Sequence, residues 1–255
     1  MRAVALAAAI AVTAVATVAP AAPISGYQGE QENATHVNVG WNSAPDLELA
    51  YGRTIPMEQF VRRLDLELGL TLPVFLVTDL DSFRLEPAAR AMLLQRGGWG
   101  LAGRLGLPVQ TGDNQTFQFV SVGAHPGLAG GYFKRGGFIA LEVEYTAILS
   151  TYIAASDRAR ATYERIRDGF YAPTGGYLDA SLALALSIGS SFEIGLRAGY
   201  RSTHGLQPPP LVPFRAEVGL SYAFGASALA PAEAGGKGRQ SELRMSRANL
   251  HANLR

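Results

Sequence analysis

Cysteine is absent from the 255 residues, which excludes disulfides and thiolate metal sites. A chain without thiols suits an oxidising compartment, where a stray thiol is a liability. Charge is scarce as well. Asp, Glu, Lys and Arg make up 17% and the net charge is +1, too weak a field for general attraction to nucleic acid. Long apolar runs are missing after the first two dozen residues, so any later membrane crossing must use strands rather than helices. The four histidines, His36, His125, His204 and His251, are far apart, and neither a metal site nor a cofactor is expected.

Glycine, by contrast, is plentiful, with 29 residues. High glycine with little charge fits a β-protein facing lipid better than an average soluble domain. The chain begins with Arg2, then an apolar run from Ala3 to Val18, then small residues at Ala19, Pro20 and Ala21. This order is that of a secretory signal peptide covering 1–21, with cleavage near Ala21 or Ala22. A membrane anchor is the competing reading, but the run is Ala-rich and short for a span.

The clearest pattern lies between Pro213 and Phe224. Phe214, Ala216, Val218, Leu220, Tyr222 and Phe224 alternate with Arg215, Glu217, Gly219, Ser221 and Ala223. Successive strand residues face opposite sides, so one face is apolar and the other polar or nearly empty. The segment Glu217-x-Gly219-x-x-Tyr222-x-Phe224 resembles the closing strand of bacterial outer-membrane β-barrels. The resemblance covers about 35–224. It implies an all-β, transmembrane, antiparallel up-and-down barrel in the outer membrane of a Gram-negative envelope. It also implies outer-membrane lipid and lipopolysaccharide as surroundings, and the barrel-assembly machinery as a partner through the closing strand.

Taken in order, the chain reads as a periplasmic lead-in at 22–34, a barrel at 35–224 and a flexible basic periplasmic tail at 225–255. Strands are expected at 36–41, 46–54, 64–72, 83–95, 99–109, 116–124, 138–152, 177–188, 192–201 and 213–224. Leu64, Leu66, Leu68, Leu70 and Leu72 alternate with Asp65, Glu67, Gly69 and Thr71, a period that no helix shares. The stretch 83–95 carries Pro87 and blurs at Met92, Leu93 and Leu94, so a short helix competes there. A face switch after Phe119 suggests a bulge. Ten strands put both barrel ends on one side, with eight or twelve as alternatives. The Gly-rich stretch 125–137 is expected as a connection, too long for a periplasmic turn. Thr111 to Asn114 is expected as a polar loop, and 154–176 as the longest loop. The tail departs from the habit of outer-membrane barrels to end at the terminal Phe.

A soluble lipocalin-like barrel would alternate too. Aromatic residues near strand ends favour lipid: Trp99, Phe138, Phe192, Tyr222 and Phe224 toward the periplasm, and Trp41, Tyr177, Tyr200 and Phe214 outside. Such residues fit two membrane-interface girdles.

The opposite strand faces carry Asp65, Glu67, Glu142, Glu144, Asp179, Glu193 and Glu217 with Arg104, Arg197, Arg201 and Arg215. Buried charges need partners, because desolvation costs about several kcal/mol each. A neutralising ladder is expected, with Glu193 paired to Arg197 and Arg215 to Glu217. Glu142 and Glu144, two acids on one face, are the pair that a polar path for solutes would use. No catalytic constellation is found. Ser202 and His204 share an outer loop without an acid to orient the imidazole. Arginines in 157–168 are placed to meet lipopolysaccharide phosphates. The expected function is a structural or small-solute pore with a largely side-chain-filled polar lumen. An outer-membrane lipid hydrolase and a soluble binding barrel are the competing readings.

Overall fold

The computed structural model describes residues 31–42, 45–57, 63–74, 82–113, 117–134, 136–162, 167–189, 191–205 and 213–227. The expected signal peptide and most of the lead-in and tail lie outside these residues. The strands are β1 (Gln31–Asn42), β2 (Pro45–Pro56), β3 (Arg63–Pro73), β4 (Arg84–Arg96), β5 (Trp99–Gly106), β6 (Val109–Asp113), β7 (Phe117–Lys134) and β8 (Gly137–Ala155). After a short helix, α1 (Asp157–Thr162), come β9 (Gly169–Tyr171), β10 (Gly175–Ile188), β11 (Phe192–Gly205) and β12 (Phe214–Ser227).

Hydrogen bonding runs β1-β2-β3-β4-β5-β7-β8-β10-β11-β12 and returns to β1 through eleven paired residues, from Gln31–Ser227 to Asn42–Arg215. The chain is therefore a closed, antiparallel, up-and-down β-barrel. β6 continues β5 past Leu107 and Pro108 and pairs with the same neighbours, β4 and β7, so the two form one broken ring strand. Pro108 has no N–H to give a ladder. The ring thus has ten strands, and β9 is a three-residue addition on the far end of β8.

Each element follows from local chemistry. β4 forms despite Pro87 because Glu86, Ala88 and Arg90 turn inward, which leaves Pro87 outward and exposed. The blurred alternation at its end is a bulge: Met92 pairs with Ala102 and Leu94 with Leu101, leaving Leu93 as the extra residue. β4 returns into β5 through Gly97 and Gly98, whose φ values of 59° and 92° suit glycine in a two-residue hairpin turn.

Three expectations are corrected. The stretch 125–137 is not a connection but mostly strand, because β7 runs unbroken to Lys134 and turns directly into β8. Its alternation was hidden by glycine, since Gly127, Gly131 and Ala129 hold the inner positions. Residues Thr111 to Asp113, expected in a loop, belong to β6. The bulge is not in β7, whose odd residues from Ser121 to Phe133 keep one face. Leu149 of β8 is instead the extra residue, between the pairs Val122–Ser150 and Gly123–Ile148. Pairing also reaches slightly past the expected bounds, to Gln31 and Ser227.

The two faces are chemically opposite. Leu141 is 67% exposed while the next residue, Glu142, is 3% exposed. The same parity holds for Leu184, Leu186, Leu196, Val218 and Leu220 outside, against Asp179, Ser181, Arg197, Glu217 and Ser221 inside. The barrel is apolar on its outer surface and charged within.

Candidate functional site: the barrel interior

Glycine decides how the interior charges are held. Glu67 stands beside Gly52 on the neighbouring strand, Glu86 beside Gly69, Glu144 beside Gly127, Glu217 beside Gly40, and Arg215 beside Gly199. A Cβ at Gly40 would come within 2.6 Å of Glu217 Cγ. A Cβ at Gly127 would likewise stand 3.1 Å from Glu144 Cγ, so Glu217 and Glu144 lie down over glycine recesses in the next strand and meet partners along the wall.

Two ion clusters result. In the first, from β3 to β7, Glu67 meets Arg90 at 3.5 Å and Arg104 at 3.7 Å. Arg104 reaches Glu86 at 2.7 Å, and His125 Nδ1 lies 2.6 Å from the same carboxylate. Arg84 Nε donates to Glu86 at 3.0 Å. Nearby, Arg63 Nε donates to Asp65 at 2.7 Å, and Thr54 donates to Asp65 at the same distance.

The second cluster, from β8 to β12, holds the expected charges of the last strands. Arg197 Nε is 2.7 Å from Glu142, and its Nη1 donates to Glu217 at 3.0 Å. Arg215 meets Glu217 at 2.7 Å, Glu144 at 3.0 Å and Asp179 at 3.5 Å. Arg201 donates two hydrogen bonds of 2.7 Å to Asp179.

The clusters are joined at two points. His125 Nε2 is 3.7 Å from Glu144. Arg84, on β4, donates to the hydroxyl of Tyr177, on β10, four ring strands away and so nearly across the bore. The Arg201 guanidinium lies 4.3 Å over the same ring, a cation–π contact. Arg201, Tyr177 and Arg84 thus form a crossbar.

Below it, Phe133 and Phe138 stack at 5.6 Å in an apolar cluster with Ala140, Ala183 and Ala185.

The expected pair Glu193–Arg197 does not form. Four strand residues span about 13 Å, beyond side-chain reach; the spacing is a helical one. Glu193 instead accepts from Ser187 at 3.4 Å. Glu142 and Glu144, expected as a pair, each meet their own arginine. Phe138 and Tyr177, expected in the outer girdles, point inward at 6% and 9% exposure. Parity required this, since Ile139 and Leu178 take the outside. Trp99, Phe192 and Tyr222 are exposed near the rim that holds both strand ends, with Phe224 half-buried there. Trp41, Tyr200 and Phe214 are exposed near the opposite rim.

Sequence reasoning missed Glu48, Arg63, Arg84, Glu86, Arg90, His36 and His125 inside the barrel. Parity within β1 to β4 would have found most of them. His125 was hidden in the misread glycine stretch. Ser202 and His204, expected in an outer loop, lie in β11, paired with Leu178 and Gly176 of β10. Ser202 is outward and exposed, and His204 Nε2 is engaged by the Tyr145 hydroxyl at 2.9 Å. The stretch 154–176, expected as the longest loop, instead holds the end of β8, α1, β9 and the start of β10. In it Arg160 pairs with Asp168 at 2.7 Å and Asp157 at 3.5 Å.

No family model and no curated protein matches the chain. Among solved structures it is similar to a KdgM porin, at 9% identity and a TM-score of 0.38, over 75% of this chain and 99% of that one. It is also similar to a KdgM porin in complex with disordered oligogalacturonate, at 11% identity and the same score and coverage. A likeness of that size carries no functional inference for this chain.

Proposed function

We propose that the protein is a bacterial outer-membrane β-barrel whose interior is largely filled by paired side chains and which passes, at most, small solutes. The observation that carries this reading is the inversion of the two faces. A soluble barrel keeps its charges outside, whereas this one turns leucine, isoleucine, valine and aromatic side chains outward and its ion pairs inward. Apolar outside with polar inside is the dyad pattern of barrels in lipid.

Two further features support it. Every ring strand has eleven or more residues once β5 and β6 are taken together, and about 9–11 suffice to cross a bilayer. Exposed aromatics stand near both rims, where a membrane offers its two interfaces. On this reading the ion clusters act first as a structural filling. Ten strands enclose little more than the eight-strand bore that side chains fill, and a charge left unpaired there would be costly.

The test is fractionation with gel mobility. The full chain is expected in the outer-membrane fraction, with an unboiled band that migrates differently from the boiled one. Recovery of folded protein from the soluble periplasm would overturn the proposal.

A further inference from the structure

The outer wall is not equally bulky all round. Across β10, β11, β12, β1 and β2 one outward row of paired residues reads Leu184, Leu196, Val218, Val39 and Leu47. The row beside it reads Leu186, Ile194, Leu220, Val37 and Leu49. On the other five ring strands, from β3 to β8, an outward row reads Leu64, Ala91, Gly103, Leu128 and Val143. Its neighbour runs Leu66, Ala89, Leu105 and Pro126. Three small residues, Ala89, Ala91 and Gly103, therefore adjoin where the first two rows are large throughout.

The result is a trough of about 600 Å³ in the outer surface, floored by those three residues and walled by Leu64, Leu105, Leu128 and Tyr145. Leu93, the extra residue of the β4 bulge, bends over its end at Gly103, where a Cβ would stand 3.2 Å from Leu93 Cδ1. No charge enters the trough, because the guanidiniums of Arg90 and Arg104 behind it are held inside by Glu67 and Glu86. Toward the rim away from the strand ends stands Tyr145, whose hydroxyl meets His204 Nε2 at 2.9 Å. His204 is exposed and lies one residue from the end of β11. The trough is thus apolar along its length and polar at one end.

Apolar atoms that line an unfilled hollow lose the contacts a packed surface keeps. A second copy meeting this face about a two-fold axis would set trough against trough and leave both hollow. A hydrocarbon chain bends to the shape it meets, and it fits.

We infer that the trough seats an acyl chain of lipopolysaccharide, with the Tyr145–His204 pair beside the polar head. The inference rests on the proposal that the barrel spans the outer membrane. With the strand ends toward the periplasm, the Tyr145 end lies in the outer leaflet, where lipopolysaccharide resides.

The test is native mass spectrometry of the full chain, folded in detergent micelles and titrated with lipid A, the acylated part of lipopolysaccharide. The wild type is expected to hold a single lipid A and to prefer it to dipalmitoyl phosphatidylethanolamine. Ala89→Leu with Ala91→Leu fills the floor and should weaken that binding several-fold while the heat-modifiable band persists. Ala91→Leu alone should give part of the loss. Ala198→Leu, at an exposed outward alanine on the far wall, should leave binding unchanged. A folded wild type that takes no lipid A, or takes phosphatidylethanolamine equally well, would overturn the inference and leave the barrel proposal standing. So would a folded double variant that binds like the wild type, or a wild-type dimer that the double variant breaks up. Recovery of the chain as a soluble protein with no heat-modifiable band would overturn both.

Discussion

His36 Nδ1 and Ser221 Oγ, 2.7 Å apart, join the first ring strand to the last. Beside them Asn38 rests on Gly219, where any Cβ would meet Asn38 Oδ1 inside contact distance and His36 Cε1 at 2.8 Å. The interior therefore fixes the register in which the barrel closes, because a shift by one residue turns every side chain to the wrong face. Gly219→Ala should cost about 1–3 kcal/mol, the usual range for overpacking. Adding Asn38→Ala should recover part of it. The temperature at which the folded band converts on a gel measures both, and a single variant melting like wild type would count against the idea.

Arg197 holds two carboxylates, so its loss leaves Glu142 and Glu217 short of a partner. Arg197→Ala should destabilise the barrel by about 3–5 kcal/mol, as breaking a buried pair does. Glu142→Gln in the same chain should restore part of the loss, and Glu193→Gln should not. Urea titration of the protein in detergent micelles, followed by tryptophan fluorescence, gives the three values. Rescue by Glu193→Gln instead would contradict the geometry.

Leu141 tests the outer face. Leu141→Arg should cost about 2–4 kcal/mol if the residue sits at mid-bilayer, seen as reduced heat-modifiable protein in the membrane fraction. A barrel surrounded by water would accept the same arginine with little change.

Tyr177→Phe removes the oxygen that Arg84 binds and keeps the ring that Arg201 covers. A loss of about 1 kcal/mol is expected, the net value of one hydrogen bond, because Arg84 retains Glu86. Tyr177→Ala also deletes the cation–π contact and should cost more in the same urea titration. Equal losses for the two variants would show that the ring contributes nothing.

The fold was legible wherever one face was bulky. The leucines of β3 and the alternation of β10, β11 and β12 placed their strands, and the ring has the expected ten. What failed was reading inner faces built from glycine. Between His125 and Phe133 the inner residues are mostly too small to show a period, so a strand looked like a loop. Face assignment failed at Phe138 and Tyr177, where rim position was weighed above parity, and after Phe119, where apolar residues on both faces of β7 looked like a switch. Of the two expected ion pairs Arg215–Glu217 forms; the partners across the ring were not legible, because they depend on which strands lie side by side. Arg197 meets Glu142 across β10, a relation that spacing along the chain does not contain.

β1 carries one formal charge, Glu32, and that residue's ion pair is with Arg53 on β2. Among the described residues no salt bridge crosses from β1 to β12, while both ion clusters are complete on the far sides of that joint. The ring can therefore part between its first and last strands without separating any guanidinium from its carboxylate. Opening there breaks backbone ladders and neutral side-chain bonds alone. Among the described residues the β2–β3 joint also lacks an ion pair, but there Thr54 binds the charged Asp65 and Arg63. The β1–β12 joint is held by neutral groups, and lateral opening of the barrel would begin along it.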